Sequence, residues 1–288
     1  MDTELITRVP QLPARAPDAH KGSVGRIAII AGSLGERGMF GAASLTANGA
    51  LRSGAGLVQV ITERSAQPYV CMLAPCATTR ALEGQSDDLA ALAVDFGADA
   101  VAVGPGLGET VCAAQLHHLL TTFSGGIVMD ADALNTLAAA GAWSAKWPHN
   151  VVLTPHPGEM KRLVDGIGID VDVKDREACA VAYARATGVN VVLKGAGTVV
   201  TDGRRVYVNQ TGNAGMATAG TGDVLTGVIV GLLGQKMEAF DAAVLGVHVH
   251  GLAGDSASEE LGRISMTALD LLDFLPEAFC DLELDAGQ

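Results

Sequence analysis

Aromatic residues are scarce, at 4% of the 288 residues, so whatever core this chain buries is aliphatic. Positive charge is also short: 19 basic residues face 32 acidic ones, for a formal net charge of −13. That balance argues against nucleic acid or an anionic membrane as partner. It leaves room for a phosphate ligand, which backbone N–H groups and one lysine can hold locally. No apolar run approaches the roughly 20 residues that span a bilayer. The N-terminus, MDTELITRVPQLPARAPDAHKG, lacks the apolar segment of a signal peptide. The five cysteines form no C-x-x-C pair, and their odd number and scatter suit reduced thiols in the cytoplasm. No Cys/His spacing fits zinc. A G-x-x-x-x-G-K-[ST] phosphate loop is absent, as is G-x-G-x-x-G after the first strand, which excludes a P-loop enzyme and a Rossmann dinucleotide site.

What is present is glycine, 36 residues of it, and 49% hydrophobic residues, enough for a sizeable core with many tight turns. Short β-branched runs alternate with helical periodicity. Strands are expected at 26–32, 57–62, 99–104, 126–130, 150–154 and 189–194, and a hairpin at 198–202 and 205–209. Helices are expected at 40–54, 109–122, 132–140, 157–165, 174–187, 222–234, 239–260 and 266–275. The alternation predicts an α/β fold with a mostly parallel central sheet and helices on both faces. The polar, Pro-rich residues 1–20 read as an arm, and 21–288 as one domain with no internal repeat.

Ligands of such sheets sit at the carboxyl ends of the strands. GTGD, Gly220 to Asp223, opens an apolar helix whose free N–H groups suit a phosphate. Asp223 is either the helix N-cap or a general base, since a carboxylate beside a phosphate otherwise weakens its binding. In LKGAGTVV, Lys194 and the glycines after it form either a nucleotide shelf or a plain turn with a solvated lysine. In LTPHPGEM, prolines stiffen the turn around His156, which either contacts substrate or belongs to a capped turn begun by Glu159. In VMDADALN, Asp130 ends a strand where it can approach metal or substrate, and Asp132 is expected to cap the next helix. VGPGLGE offers a close backbone approach at Gly106 or only a tight turn. The small residues of AGSLGERGMFGAASLTANGALRSGAG leave a cavity or let a helix pack closely. His248 and His250 are expected in helix packing rather than at a metal.

Taken together and in this order, HKGSVGRIAIIAGS, GAASLTANGALRSGAGLV, GPGLG, DADALN, LTPHPGEM, LKGAGTVV and GNAGMATAGTGDVLTGVIVGLL resemble the NAD(P)H-hydrate dehydratase family of the ribokinase-like superfamily, from about Lys21 to Leu275. The resemblance implies a ribokinase-like three-layer fold. It implies a lyase that phosphorylates the C6 hydroxyl of the S epimer of hydrated NADH or NADPH (NADHX, NADPHX) from ADP or ATP, with Mg2+, and then expels phosphate. It places Ala42, Gly106, His156 and Asp223 around the hydrated cofactor. It places Lys194, Gly195, Ala196, Gly197, Thr198 and Gly222 around the nucleotide, Asp223 as catalytic base, and Glu159 near magnesium. Ala219 and Ala214 stand where relatives carry glycine, or proline at the second, which matters only if the backbone there needs positive φ. The resemblance further implies a homotetramer, ADP as donor, and an epimerase carried by a separate protein. The alternatives are a ribokinase-like kinase for a vitamin-precursor alcohol and a catalytically silent nucleotide sensor.

Overall fold

In the computed structural model, which describes residues 3–36, 38–141 and 147–286, every strand expected from the sequence is present. Arg37, inside the glycine-rich run, lies outside the described residues. In chain order the strands are β1 (Glu4–Leu5), β2 (Arg26–Ile30), β3 (Leu57–Glu63), β4 (Thr78–Leu82), β5 (Ala100–Val103), β6 (Gly126–Met129), β7 (Val151–Leu153), β8 (Asn190–Leu193), β9 (Val199–Thr201) and β10 (Arg205–Val208). They form one sheet in the order β1-β10-β9-β8-β7-β6-β5-β2-β3-β4. From β4 to β8 every pairing is parallel, and β9 pairs antiparallel with both β8 and β10. The hairpin thus sits toward one end of the sheet. The proline-rich arm goes further than expected, since β1 pairs parallel with β10 and becomes the edge.

The helices are α1 (Phe40–Arg52), α2 (Gln67–Leu73), α3 (Leu89–Phe96), α4 (Ala113–Thr122), α5 (Ala131–Ala140), α6 (Pro157–Ile167), α7 (Arg176–Thr187), α8 (Thr221–Gly234), α9 (Ala239–Leu261) and α10 (Ala268–Ala286). Successive strand residues point to opposite faces, and the two cores follow that period. Ile27, Ile29, Val58 and Val60 pack with residues of α1, α8, α9 and α10. Ala28, Ile30, Val101 and Val103 pack with residues of α3 to α7. The sheet is therefore covered on both faces, as continuous apolar strands require.

The differences from expectation have local causes. Helices α2 and α3 and strand β4 are short and escape periodicity over an 11-residue window. Helix α10 was expected to stop before Pro276, yet it runs on to Ala286. Pro276 faces solvent, while Leu271, Leu275 and Ala278 around it are buried, so packing outweighs one lost helix bond.

The contact that matters most for the site is that of α1 with α8. A Cβ on Gly49 would lie 2.7 Å from the Val224 carbonyl, and one on Gly227 would lie 2.2 Å from the Thr46 carbonyl. One turn later, a Cβ on Gly231 would meet the Ala50 carbonyl at 2.9 Å. The two helices therefore run parallel at backbone contact, with Thr46 against Gly227 and Ala50 against Gly231. Continued one turn toward the N-termini, this register sets Ala42 against Asp223.

Candidate active site

Helix α8 begins at Thr221 after Gly220, whose φ of +93° suits a residue without a Cβ. Gly220 is the N-cap, and Asp223 sits in the first turn. The N-cap reading of Asp223 is thus set aside. Among the described residues its half-buried carboxylate accepts no hydrogen bond. Burial first, then the negative charge of Asp130, push it up to about 7; Lys194 opposes this and Asp132 adds to it. A carboxylate so placed, unpartnered and titrating near neutrality, has the properties of a general base.

Asp130 ends β6 and is buried. Its Oδ1 accepts from Lys194 Nζ at 2.7 Å and its Oδ2 from Thr226 Oγ1 at 2.8 Å. The lysine is therefore not a solvated turn residue. Burial alone would depress the ammonium, but the charge and hydrogen bond of Asp130, with Glu159 and Asp223 behind them, hold it above its ordinary value. The lysine lies over the start of α8, where a Cβ on Gly222 would come within 3.3 Å of Nζ. Ala131, next to Asp130, has φ of +48°, a left-handed conformation that costs a non-glycine residue about 1 kcal/mol. Asp132 does not cap α5 as expected: Asp130 occupies the N-cap position, and the Asp132 carboxylate accepts from the Gly108 N–H at 2.8 Å. It ties the β5–α4 loop instead.

Next to this cluster is a cavity of about 740 Å³. The loop Lys194–Thr198, the segment Asn209–Ala214, Gly222 and Leu225 of α8, and His250 and Gly251 of α9 line it. All six residues expected around a nucleotide border this one space. The volume is within the range of small-molecule sites. His250 Nε2–H donates to the Thr221 carbonyl at 2.9 Å, and burial drops its pKa to about 4. It is neutral near pH 7, and its one proton sits on Nε2 because the carbonyl there can only accept. The loop after β10 is clamped by α9: Asp255 accepts from Gly212 N–H and from Asn213 Nδ2. Ala214 and Ala219 are not at positive φ, a conformation held by only Ala131 and Lys236 among described non-glycine residues, so their methyl groups impose no strain.

Ala42, Gly106, His156, Glu159 and Asp223 do not border that cavity. Ala42 and Gly106 meet each other, since a Cβ on Gly106 would fall 3.2 Å from Ala42 Cβ and 2.5 Å from the Met39 carbonyl. Ser33 Oγ donates to the Gly106 carbonyl and joins the β2–α1 loop to the β5–α4 loop. His156 caps α6: Nδ1 accepts from Gly158 and Glu159 N–H at 3.0 and 3.3 Å, while Glu159 accepts from His156 N–H at 2.7 Å. An accepting Nδ1 places the proton on Nε2, and the ring is 52% exposed. The cap reading is thereby present, and Nε2 lies 3.5 Å from Glu159 Oε1 on a half-exposed ring, where a ligand can compete for its N–H. Glu159 is buried, and burial raises its pKa with Asp130 adding, against the opposing charge of Lys194 and the His156 contacts.

Sequence reasoning passed over Thr226, which lies within the GTGDVLTG stretch but has no assigned role there, and Arg176, which belongs to no motif. Thr226 is one turn beyond Gly222 on the buried face of α8. The glycine and carboxylate positions around it are a usable signal only once the helix face is known.

A model of the NAD(P)H-hydrate dehydratase family matches residues 27–277. The bifunctional NAD(P)H-hydrate repair enzyme of Moorella thermoacetica is 42% identical over 283 residues, 95% of this chain and 52% of that protein. The enzyme of the same name from Escherichia coli is 40% identical, covering 92% of this chain and 49% of its own length. The chain thus spans about half the length of these curated relatives. Among solved structures, the ADP/ATP-dependent NAD(P)H-hydrate dehydratase of Bacillus subtilis, co-crystallised with ATP/Mg2+, superposes with a TM-score of 0.78. It is 31% identical, and the match covers 94% of this chain and 95% of that one. A ribokinase from Thermotoga maritima, 13% identical with a TM-score of 0.52, shares the fold.

Proposed function

The chain belongs to the NAD(P)H-hydrate dehydratase family, and we propose from that premise that it returns the S epimer of NADHX or NADPHX to the reduced cofactor at the expense of ADP or ATP. The observation that carries this reading is the state of Asp223. It is an unpartnered carboxylate titrating near 7 in the first turn of α8, next to Gly222, which borders the cavity.

The steps follow from that placement. Asp223 takes the proton of the C6 hydroxyl as its oxygen attacks the terminal phosphorus of the donor. The P–O bond to the leaving AMP or ADP breaks. The N-terminal N–H groups of α8 face the transferring phosphoryl group, and Lys194, held by Asp130, offsets its charge. Phosphate is a far better leaving group than hydroxide. The ring nitrogen's electron pair expels it from C6, and loss of a C5 proton restores the ring double bond. Ala42 and Gly106 offer a close backbone wall for the hydrated ring, and His156 Nε2–H a donor.

Among the described residues, no group of three or more His, Cys, Asp or Glu side chains could hold a metal ion. Magnesium carried on nucleotide phosphates keeps several waters and takes one or two carboxylates. Glu159 is the carboxylate we assign to it, because it is buried in the first turn of α6 and its charge feels both Lys194 and Asp130. When bound, magnesium supplies positive charge across the donor's phosphates.

The proposal extends to ADP as the preferred donor, a homotetrameric assembly, a cytoplasmic location in keeping with five unpaired thiols, and an epimerase acting on the same hydrates. Neither a nucleic acid nor a membrane is a proposed partner, and no described helix is long and apolar enough to cross a bilayer. The test mixes the protein with S-NADHX, magnesium and either ADP or ATP and follows reduced-nicotinamide absorbance. Growth of absorbance only with nucleotide supports the reading, and the faster donor decides between the two. Folded protein that binds nucleotide and gives no signal would redirect the assignment to a kinase for another alcohol or to a nucleotide sensor.

A further inference from the structure

The loop between β8 and β9 sorts its polar groups by side. Four of the six carbonyls from Leu193 to Thr198 are occupied by protein: Leu193 O and Ala196 O accept from Arg176 Nη2 and Nη1 at 2.9 and 2.5 Å. Gly195 O accepts from Thr198 Oγ1 at 3.0 Å, and Thr198 O from Asn209 N–H at 2.9 Å. The amide N–H groups of Gly195, Ala196 and Gly197, in contrast, donate to no described residue. Those three residues border the cavity. A loop with most of its carbonyls bound to protein and three successive amide donors free offers those donors to an anion.

Arg176 supplies two of the four carbonyl bonds, from a fixed position. It is the first residue of α7, whose N-cap Asp175 accepts from Ala178 N–H. Its planar fork spans two carbonyls three residues apart, which one ammonium cannot do. The fork also explains the residue between them. A Cβ on Gly195 would come within 3.0 Å of Arg176 Nη2, and Gly195 has φ of +144°. The backbone there favours glycine, and an added Cβ would also press on the guanidinium beside it.

We propose that Arg176 is a positioning residue for the nucleotide site: its guanidinium pins Leu193 O and Ala196 O at the rear of the Lys194–Thr198 loop and so aims the amide N–H groups of Gly195 to Gly197 at the adenine nucleotide. It touches no ligand itself. The inference rests on the nucleotide reading of the cavity given above. It adds a residue that lies outside every motif, on a helix that carries none of the assigned site residues.

The test compares the wild-type chain with Arg176→Lys and Arg176→Met. Calorimetric titration with ADP and with ATP gives Kd, steady-state assays give KM for nucleotide and for S-NADHX, and thermal melts report folding. For Arg176→Met, nucleotide Kd and KM rise by about tenfold or more, because two carbonyls lose their donors and the loop relaxes. The KM for S-NADHX stays within about twofold. Arg176→Lys falls between wild type and Arg176→Met, since it keeps the charge and one donor nitrogen but not the two-pronged fork. Unchanged nucleotide Kd in both variants overturns the proposal. So does a lower melting temperature with equal loss for both ligands, which makes Arg176 a structural residue only. Should Arg176→Met not fold, the lysine variant decides alone: wild-type nucleotide affinity there removes the need for a fork. Failure of the wild type to bind any adenine nucleotide is a separate result, which overturns the reading of the cavity itself.

Discussion

The two sides of Asp223 are built differently. On the nucleotide side, five consecutive residues, Lys194 to Thr198, provide one wall of the cavity largely through backbone. On the side assigned to the hydrated ring, the named residues come one each from α1, the β5–α4 loop and the start of α6. Backbone recognition needs a loop of particular φ values and so leaves a contiguous glycine signature. The other side depends on elements brought together by the parallel packing of α1 on α8, through Gly49, Gly227 and Gly231. It leaves isolated residues in the chain. Where a ligand is recognised by backbone, a motif reports it; where helix ends meet, each residue alone resembles a packing feature.

Replacing the residue that the two sides share should have the largest effect. Asp223→Asn should lower turnover by about a thousandfold, as expected for loss of a general base, while nucleotide Kd changes little. Retained turnover would leave both sides without a common reactive group. In the wild type, kcat/KM should rise with pH through about 7, as Asp223 ionises, and then level off. The same carboxylate affects stability. Its folded pKa lies above its unbound value of 3.8, so the native state holds the proton more tightly, and stability falls as pH rises from about 4 to about 7. Asp223→Asn, free of that loss, should melt roughly 2–6 °C above wild type at pH 8. A variant that melts lower would mean that the charge is compensated in the fold.

Lys194→Met tests the link between the sides. It strips the buried Asp130 carboxylate of its cation and should cost about 3 kcal/mol in denaturant unfolding. It should also weaken ADP binding in titration. A loss of binding with no loss of stability would place the lysine on the nucleotide alone.

His156→Ala is the smallest change and the sharpest test of the division. It removes the N-cap of α6, worth about 1 kcal/mol. It should raise KM for S-NADHX while leaving the nucleotide Kd near wild type. Equal change for both ligands would show that the two sides do not separate at this residue.

Much of this was legible in the chain. The alternation of β-branched runs with helical periodicity predicts the doubly covered sheet, and the hairpin around Gly203 emerges where expected. The glycines of LKGAGT and GTGD mark two loops that border one cavity. What escaped did so for reasons of distance or context. The role of Asp132 depends on the Gly108 N–H, 24 positions away. Whether Asp223 caps its own helix depends on the φ of Gly220, which no residue type states. Arg176 sits at an ordinary helix start, and its partners are 17 and 20 residues on. Helix α10 outlasts its proline because of the core it covers.

The sequence by itself determined which segments are strands and helices and where the backbone must lack a Cβ. Periodicity and glycine conformation are local properties, and neighbours in the chain suffice to express them. Only the tertiary structure decided which carboxylate is poised to take a proton. Asp130 meets Lys194 across 64 positions and Thr226 across 96. Asp223 is lifted toward neutrality by burial and by that same Asp130. Desolvation and Coulomb energies depend on separation in space, and separation in space exists only once the chain has folded.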